Sequence, residues 1–212
     1  MMEFPRYSKH EVAADAVIHG LGVGFALIGG PILIGLVAAK GEVGPIVAVS
    51  IYVATLVVMF SASALYHMIP ALHWKEWLRR VDHSAIYLKI AGAYTPFAAV
   101  SLWGGVGKVL LIAVWAAALV GLALKILYPR RFEILSIVLY LSLGWAAVWV
   151  AGDVAASVET ATIVLVVTAG AIYSLGVIFH LWRSLPFQNA IWHAMVLAAT
   201  AVLYSAIAVE FI

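Results

Sequence analysis

The chain has 212 residues, of which 66% are hydrophobic and only 10% charged, and its mean hydropathy is +1.10. Soluble domains are nearer half apolar and a quarter charged, so this composition excludes an ordinary soluble domain and predicts an integral membrane protein. The net charge of +2 is too small to suggest a nucleic-acid partner, and the absence of cysteine excludes disulfides, thiolate metal ligands and a cysteine nucleophile.

Seven apolar stretches follow one another along the chain, each close to the roughly 20 residues that an α-helix needs to cross a hydrocarbon core of about 30 Å. Charges or helix breakers such as Lys40-Gly41-Glu42 separate them, and the joins are short. The pattern predicts a single all-α domain over 1–212, an integral membrane bundle of seven transmembrane helices. The stretches lie at about 16–39, 43–66, 84–103, 106–127, 132–151, 160–182 and 189–209.

The basic residues predict the orientation of this bundle. With the N-terminus in the cytoplasm, Lys40 and Lys108 fall outside, Lys89 lies within a span, and every other basic residue falls inside. Cytoplasmic loops are enriched in Lys and Arg, so we predict a cytoplasmic N-terminus and a multi-pass location in the plasma membrane. The cytoplasmic residues are Arg6, Lys9, Lys75, Arg79, Arg80, Lys125, Arg130, Arg131 and Arg183.

Ionisable residues inside the spans are few, and in this topology all of them lie toward the cytoplasmic half. Such residues are costly in a bilayer and are functional candidates by default. They are Asp15, His19, His67, Asp82, His83, Lys89, His180 and His193.

Four polar residues from three spans form a candidate metal site. Ser63 and His67 are four residues apart and share a helix face, Asp82 enters the third span from the same side, and His193 lies about one turn into the seventh. Histidines on separate helices can hold Zn²⁺ inside a bundle. The alternative is that each histidine lies at the membrane interface or bonds to a neighbouring helix, and Asp82 also fits the role of a helix N-cap. Spacing alone does not decide between them.

The segments that contain these residues resemble the hemolysin III-like bacterial branch of the progestin and adipoQ receptor family, which includes the adiponectin receptors. The resemblance extends over essentially the whole chain. It is carried by Glu11 with His19-Gly20, Ser63-Ala-Leu-Tyr-His67, Leu78-Arg-Arg-Val-Asp82-His83, Ile90-Ala-Gly-Ala-Tyr94-Thr95-Pro96-Phe97 and Ala190-Ile-Trp-His193.

The resemblance implies a seven-helix fold with zinc near the cytoplasmic face. Carried over to this chain, His67 and His193 are expected as zinc ligands. Asp82 is expected as the carboxylate that holds zinc-bound water, with Ser63 beside it. The family is also linked to ceramidase-like membrane hydrolases, and some bacterial members are named for cytolytic activity.

Three departures from the family pattern bear on that site. Asn189 stands where a histidine ligand is usual, and an amide oxygen is a poor ligand for Zn²⁺. Asp15 replaces the usual Asn, and Lys89 replaces an apolar residue on the helix of Asp82. These departures leave three explanations open. In the first, zinc binds through two histidines, Asp82 and water. In the second, Asp15 or another histidine compensates for the missing ligand, and in the third the metal is lost and Lys89 offsets a buried carboxylate.

Three functions are compatible with this sequence. The first is a zinc-dependent hydrolase of a lipid amide or ester, in which Asp82 orients or deprotonates water and Ser63 adds a hydrogen bond. The second is a non-enzymatic sensor or receptor-like protein in which zinc is structural. The third is a channel or pore-forming cytolysin.

Overall fold

The structure is a computed structural model that describes residues 7–70, 72–102, 104–128 and 131–212. Arg6 and Arg130, which contribute to the predicted charge bias, lie outside the described residues. Most of the described residues are helical, and there is no strand among them. The helices are α1 (Lys9–Gly24), α2 (Gly30–Ala38), α3 (Val43–Met68), α4 (Leu72–Pro96), α5 (Gly105–Leu127), α6 (Glu133–Gly144), α7 (Ala151–Ser157), α8 (Thr160–Leu181) and α9 (Gln188–Phe211).

Three short segments join some of these helices into longer rods. The π-helical Phe25–Gly29 joins α1 to α2, the π-helical Phe97–Ser101 extends α4, and the 3₁₀ segment Ala146–Val150 joins α6 to α7. The first rod begins at a capping box, in which Ser8 Oγ accepts from the Glu11 amide at 3.2 Å and the Glu11 carboxylate accepts from the Ser8 amide at 2.8 Å.

Six helical rods are long and apolar enough to cross a membrane, judged by length and composition of the described residues. They coincide with six of the seven predicted stretches. The predicted third stretch, 84–103, ends at Trp103, which lies outside the described residues. Its part from 84 to 101 lies in α4 and its π-helical extension. This rod is not among the six, and α4 is far less apolar over its length. The six are Lys9–Ala38, Val43–Met68, Gly105–Leu127, Glu133–Ser157, Thr160–Leu181 and Gln188–Phe211.

The position of Asp82 corrects one sequence-based alternative. We considered Asp82 as the N-cap of a helix beginning near residue 84, but α4 begins at Leu72. Asp82 therefore lies inside the helix, where the backbone N–H groups already bond to preceding carbonyls, and a capping role is excluded.

Helix α4 lies in the middle of the fold despite its polar first half. Tyr87, Ala91 and Ala98 are almost completely buried and form one core with α5. A second core joins α2, α3 and α9 around Tyr52, Leu56 and Ile207. At Gly92, where α4 crosses α3, an added Cβ would lie 2.0 Å from Thr55 Oγ1, so only glycine permits this approach of the two backbones.

The predicted stretch 132–151 is interrupted in the structure. Helix α6 ends at Gly144, and a 3₁₀ segment precedes α7. The Tyr94 hydroxyl fills the gap, because it donates to the Gly144 carbonyl at 3.0 Å and accepts from the Ala147 amide at 3.1 Å. Backbone N–H and C=O groups that lack an intrahelical hydrogen bond within a membrane must find another partner, here the Tyr94 hydroxyl.

Candidate metal centre

The candidate centre is built by three helices that meet at one end of the bundle. Helix α1 packs against both α3 and α9. Asp15 and His19 lie on α1, His67 is in the last turn of α3, and His193 is in the second turn of α9. Each of these four residues offers one ligand atom, and these atoms all lie within 4.8 Å of one another.

The Asp15 carboxylate is the centre of the group. Its Oδ1 lies 2.6 Å from His193 Nδ1, and its Oδ2 lies 3.4 Å from His67 Nδ1 and 3.6 Å from His19 Nε2. The imidazole rings contact one another as well, with centroids 4.4 Å apart for His19 and His193 and 4.5 Å apart for His67 and His193. One carboxylate thus faces three imidazoles in a space of a few ångströms.

The group is shielded from solvent. Asp15 is 5% exposed and His19 is 3% exposed, while His193 is 9% exposed. The His19 Nε2 atom is buried and has no hydrogen-bond partner among the residues that the structure describes. Buried polar atoms are nearly always bonded, so an orphaned ring nitrogen within a cluster of other ligand atoms is consistent with a position that a metal ion would fill.

The donor set fits zinc. Three imidazole nitrogens and one carboxylate oxygen make four ligands, which is the number that Zn²⁺ takes in tetrahedral sites. Imidazole suits several transition metals, and the carboxylate adds the negative charge that helps to balance a divalent cation. These four residues therefore form a group that can bind a metal ion, whose identity the geometry does not specify.

Asp82 and Ser63 lie next to this group. Asp82 is 8% exposed and Ser63 is 6% exposed. The Ser63 hydroxyl lies near the Asp82 carboxyl, and Asp82 is close enough to His193 and His19 to interact with them electrostatically. The structure thus brings together the four residues that the sequence singled out, with His67 and His193 as members of the metal-binding group and Asp82 beside it.

The comparison with known proteins assigns the family. The family described as haemolysin-III related matches residues 7–204. The chain belongs to this family. It is 37% identical over 198 residues to the hemolysin-3 homolog of Bacillus subtilis (strain 168), with 93% of each chain covered. It is 35% identical over 207 residues to hemolysin-3 of Bacillus cereus, with 96% of this chain and 93% of the relative covered.

A more distant relative is animal. The chain is 28% identical over 209 residues to the monocyte to macrophage differentiation factor of Homo sapiens, with 93% of this chain and 83% of the relative covered. No solved structure matches significantly. The resemblance inferred from the motifs is confirmed. Together with the six apolar helices, the family establishes a multi-pass integral membrane protein.

The group of four ligand atoms in this haemolysin-III-related protein does not depend on Asn189. The Asn189 side chain lies near the Tyr7 hydroxyl instead. The second of the three explanations for the missing histidine named Asp15 or another histidine as the compensating ligand. The group contains both Asp15 and such a histidine, His19.

The sequence contained a signal for these two residues. Asp15 and His19 are four apart on α1 and hence share a face, just as Ser63 and His67 do on α3. We counted both among the polar residues of the spans but not among the expected ligands, because the family pattern placed the third ligand at position 189.

Lys89 has a different environment from the one that its spacing to Asp82 suggested. Its amine donates to the Tyr173 hydroxyl and lies 3.9 Å from the centre of the Tyr173 ring. The Tyr173 hydroxyl is also bonded to the Thr200 hydroxyl. Lys89 is therefore tied to α8 and α9, and no ion pair with Asp82 occurs within the part of the chain that the structure describes.

Proposed function

We propose that this protein is a zinc-dependent membrane hydrolase that cleaves an amide or ester bond of a lipid. The observation that supports this proposal most strongly is the group of Asp15, His19, His67 and His193, which is largely buried and in which His19 Nε2 makes no hydrogen bond to any described residue. A second carboxylate, Asp82, lies beside that group and is not required to complete it.

The residues divide into two roles. Asp15, His19, His67 and His193 would hold the metal, which when bound supplies Lewis acidity. A water that binds as an additional ligand, or in place of one of the four, would have its pKa lowered. Asp82 would orient that water and accept its proton as a general base. Ser63, which lies near Asp82, would donate to the carboxylate and keep it in a single orientation.

The substrate class follows from the position of the site. The group lies at the end of three helices, one of which belongs to a rod apolar enough to span a bilayer and two of which are such rods themselves. An acyl bond near the head group of a lipid lies at this depth, and an apolar substrate would reach the site from the bilayer.

We further propose that α4 is a seventh span and that the metal centre lies near the cytoplasmic face. Support comes from the burial of Ala91 of α4 and of Ala98 in its π-helical extension among the other helices. An odd number of spans also places nearly all basic residues on the side of the N-terminus. The protein would then reside in the bacterial inner membrane with its N-terminus in the cytoplasm.

The replacement Asp82→Asn tests the catalytic assignment. Because the general base is lost while the metal ligands remain, we expect turnover of ceramide and of an ester lipid by the zinc-loaded protein to fall by about 10² or more. Bound zinc should not change. Turnover is measured by mass spectrometry of the released fatty acid.

The matched control is Asp153→Asn, which removes an exposed carboxylate on α7 and should leave turnover unchanged. Hydrolysis by Asp82→Asn at the wild-type rate would remove Asp82 from the mechanism. A zinc-loaded wild type that hydrolyses no lipid would favour a receptor-like protein in which the metal is structural.

A further inference from the structure

A second site lies at the end of the bundle opposite the metal centre. Helix α3 runs from Glu42 at its N-cap to His67 in its last turn, and α9 runs from His193 in its second turn to Glu210 in its last. Glu42 and Glu210 therefore mark one end of the bundle, and His67 and His193 mark the other.

This opposite end contains a cavity of about 240 Å³. Its polar lining comes from four separate places in the chain: the turn after α2, the N-cap of α3, the end of the π-helical segment and the last turn of α9. Val37 and Phe211, which are both buried, form part of its apolar wall. The polar residues are Lys40, Glu42, Ser101 and Glu210.

The charges around the cavity are of opposite sign but do not neutralise one another. No ion pair within 4.0 Å links Lys40 to Glu42 or Glu210 among the described residues. Glu42 is the N-cap of α3, yet its side chain makes no capping hydrogen bond. One ammonium group and at least one carboxylate therefore face the same small space without a direct partner.

Glu210 is held in place by neutral donors. Its Oε1 accepts from the Ser101 hydroxyl at 2.6 Å, and its Oε2 accepts from the Glu159 amide at 3.3 Å. These bonds fix the orientation of the carboxylate but leave its charge unbalanced. A negative charge in the last turn of a helix is also disfavoured by the helix dipole, so a cation at this position would be stabilised.

We propose that this cavity binds a zwitterion that carries a primary ammonium and a phosphate, the chemistry of a phosphoethanolamine lipid head group. The ammonium would donate to Glu42 and Glu210, and the phosphate would pair with Lys40 through charge-assisted hydrogen bonds. The cavity is smaller than the roughly 300–1,000 Å³ pockets that enclose drug-sized ligands, so it accommodates a head group while the acyl chains stay in the bilayer.

The choice of head group follows from hydrogen bonding and charge. A choline ammonium carries no N–H and cannot donate to either carboxylate, and a glycerol head group has no cation. The location agrees with this assignment, because Lys40, Glu42 and Glu210 lie where apolar rods begin or end, at the level of the head groups.

The test uses the full chain in detergent after the metal has been removed with a chelator, so that its outcome is independent of the metal centre. Phosphatidylethanolamine, phosphatidylcholine and phosphatidylglycerol with identical acyl chains are added in turn. The thermal unfolding midpoint and the lipid retained in native mass spectrometry are recorded. We expect the ethanolamine lipid to raise the midpoint most and to be retained in preference to the other two.

Variants then locate the binding. Lys40→Gln and Glu42→Gln, both at exposed positions where folding is not at risk, should each weaken binding of phosphatidylethanolamine about tenfold. Lys108→Gln, which lies outside the cavity, should bind as the wild type does. Equal stabilisation by all three lipids, or undiminished binding of the ethanolamine lipid by both cavity variants, would overturn the proposal.

Soluble phosphoethanolamine distinguishes the two sources of this chemistry. If soluble phosphoethanolamine displaces the lipid from the wild type but has no such effect on Lys40→Gln, the site recognises the head group without acyl chains. If the wild type keeps its lipid in the presence of the soluble compound, and Lys40→Gln loses lipid binding, the site is one for the membrane lipid.

Discussion

Asp15 has the central position in the candidate metal centre, since its carboxylate is the one group that all three imidazoles face. A carboxylate in this position can serve as a ligand and also balance part of the charge of a divalent cation. The same residue accounts for Asn189. With four ligands already supplied by α1, α3 and α9, a histidine at position 189 is not required.

The replacement Asn189→His tests this explanation. We expect the affinity for zinc to stay unchanged within experimental error, because the new imidazole would find a complete set of ligands. Zinc affinity is measured by competition with a chromogenic chelator, with Asn189→Ala as the matched control. A clear gain in affinity for the histidine variant alone would show that the four-residue group is incomplete.

The residues of the site were only partly predictable from the sequence. His67 and His193 followed from motifs, because the resemblance placed a ligand at each position. The roles of Asp15 and His19 depend on how α1 packs between α3 and α9, which no spacing within one helix specifies. Lys89 shows the same limit, since its partner Tyr173 is on α8, far along the chain.

At the scale of single helices, α4 is held close to α3 by the absence of a side chain at Gly92. The added Cβ of an alanine would lie 2.0 Å from Thr55 Oγ1 and 2.9 Å from Thr55 Cβ. This contact fixes the position of α4, which carries Asp82, relative to α3, which carries Ser63 and His67.

We expect Gly92→Ala to lower the free energy of unfolding by about 1–3 kcal/mol, the usual cost of overpacking a tight contact. Unfolding in detergent by heat or denaturant measures this change. Gly35→Ala is the matched control, because nothing lies within 4 Å of its added Cβ and alanine favours the helix. Adding Thr55→Ala to Gly92→Ala should restore part of the loss. Equal stability of the two glycine variants would contradict the close contact.

Hydropathy predicted the positions of six apolar rods but not their internal shape. The break at Gly144 depends on the Tyr94 hydroxyl of another helix, which satisfies the backbone on both sides of the gap. The N-terminal extension of α4 to Leu72 was also not predicted. Hydropathy averaged over a window of its charged residues is as low as that of a loop.

At the scale of the whole molecule, the number of spans decides where the termini lie. With seven spans the two ends of the chain are on opposite sides of the membrane, and with six they are on the same side. Composition predicted the membrane class because no soluble fold could cover so much apolar surface. It could not determine whether α4, which combines charged and apolar segments, crosses the bilayer.

Single cysteines distinguish seven spans from six, since the chain contains no other cysteine to be labelled. We expect His10→Cys to react with a membrane-impermeant maleimide only after spheroplasts are opened, and Ile212→Cys to react in intact spheroplasts. The unmodified chain is the control and should not be labelled. Labelling of both variants from the same side would exclude seven spans.

Whether Asp15, His19, His67 and His193 hold a metal ion can be tested by measuring the zinc content of the purified protein. We expect about one zinc ion per chain in the wild type and loss of most of it in Asp15→Asn and in His19→Ala. Asp82→Asn should keep its zinc. A wild type without bound zinc after purification in its presence, or a His19→Ala variant that retains the full content, would contradict the account.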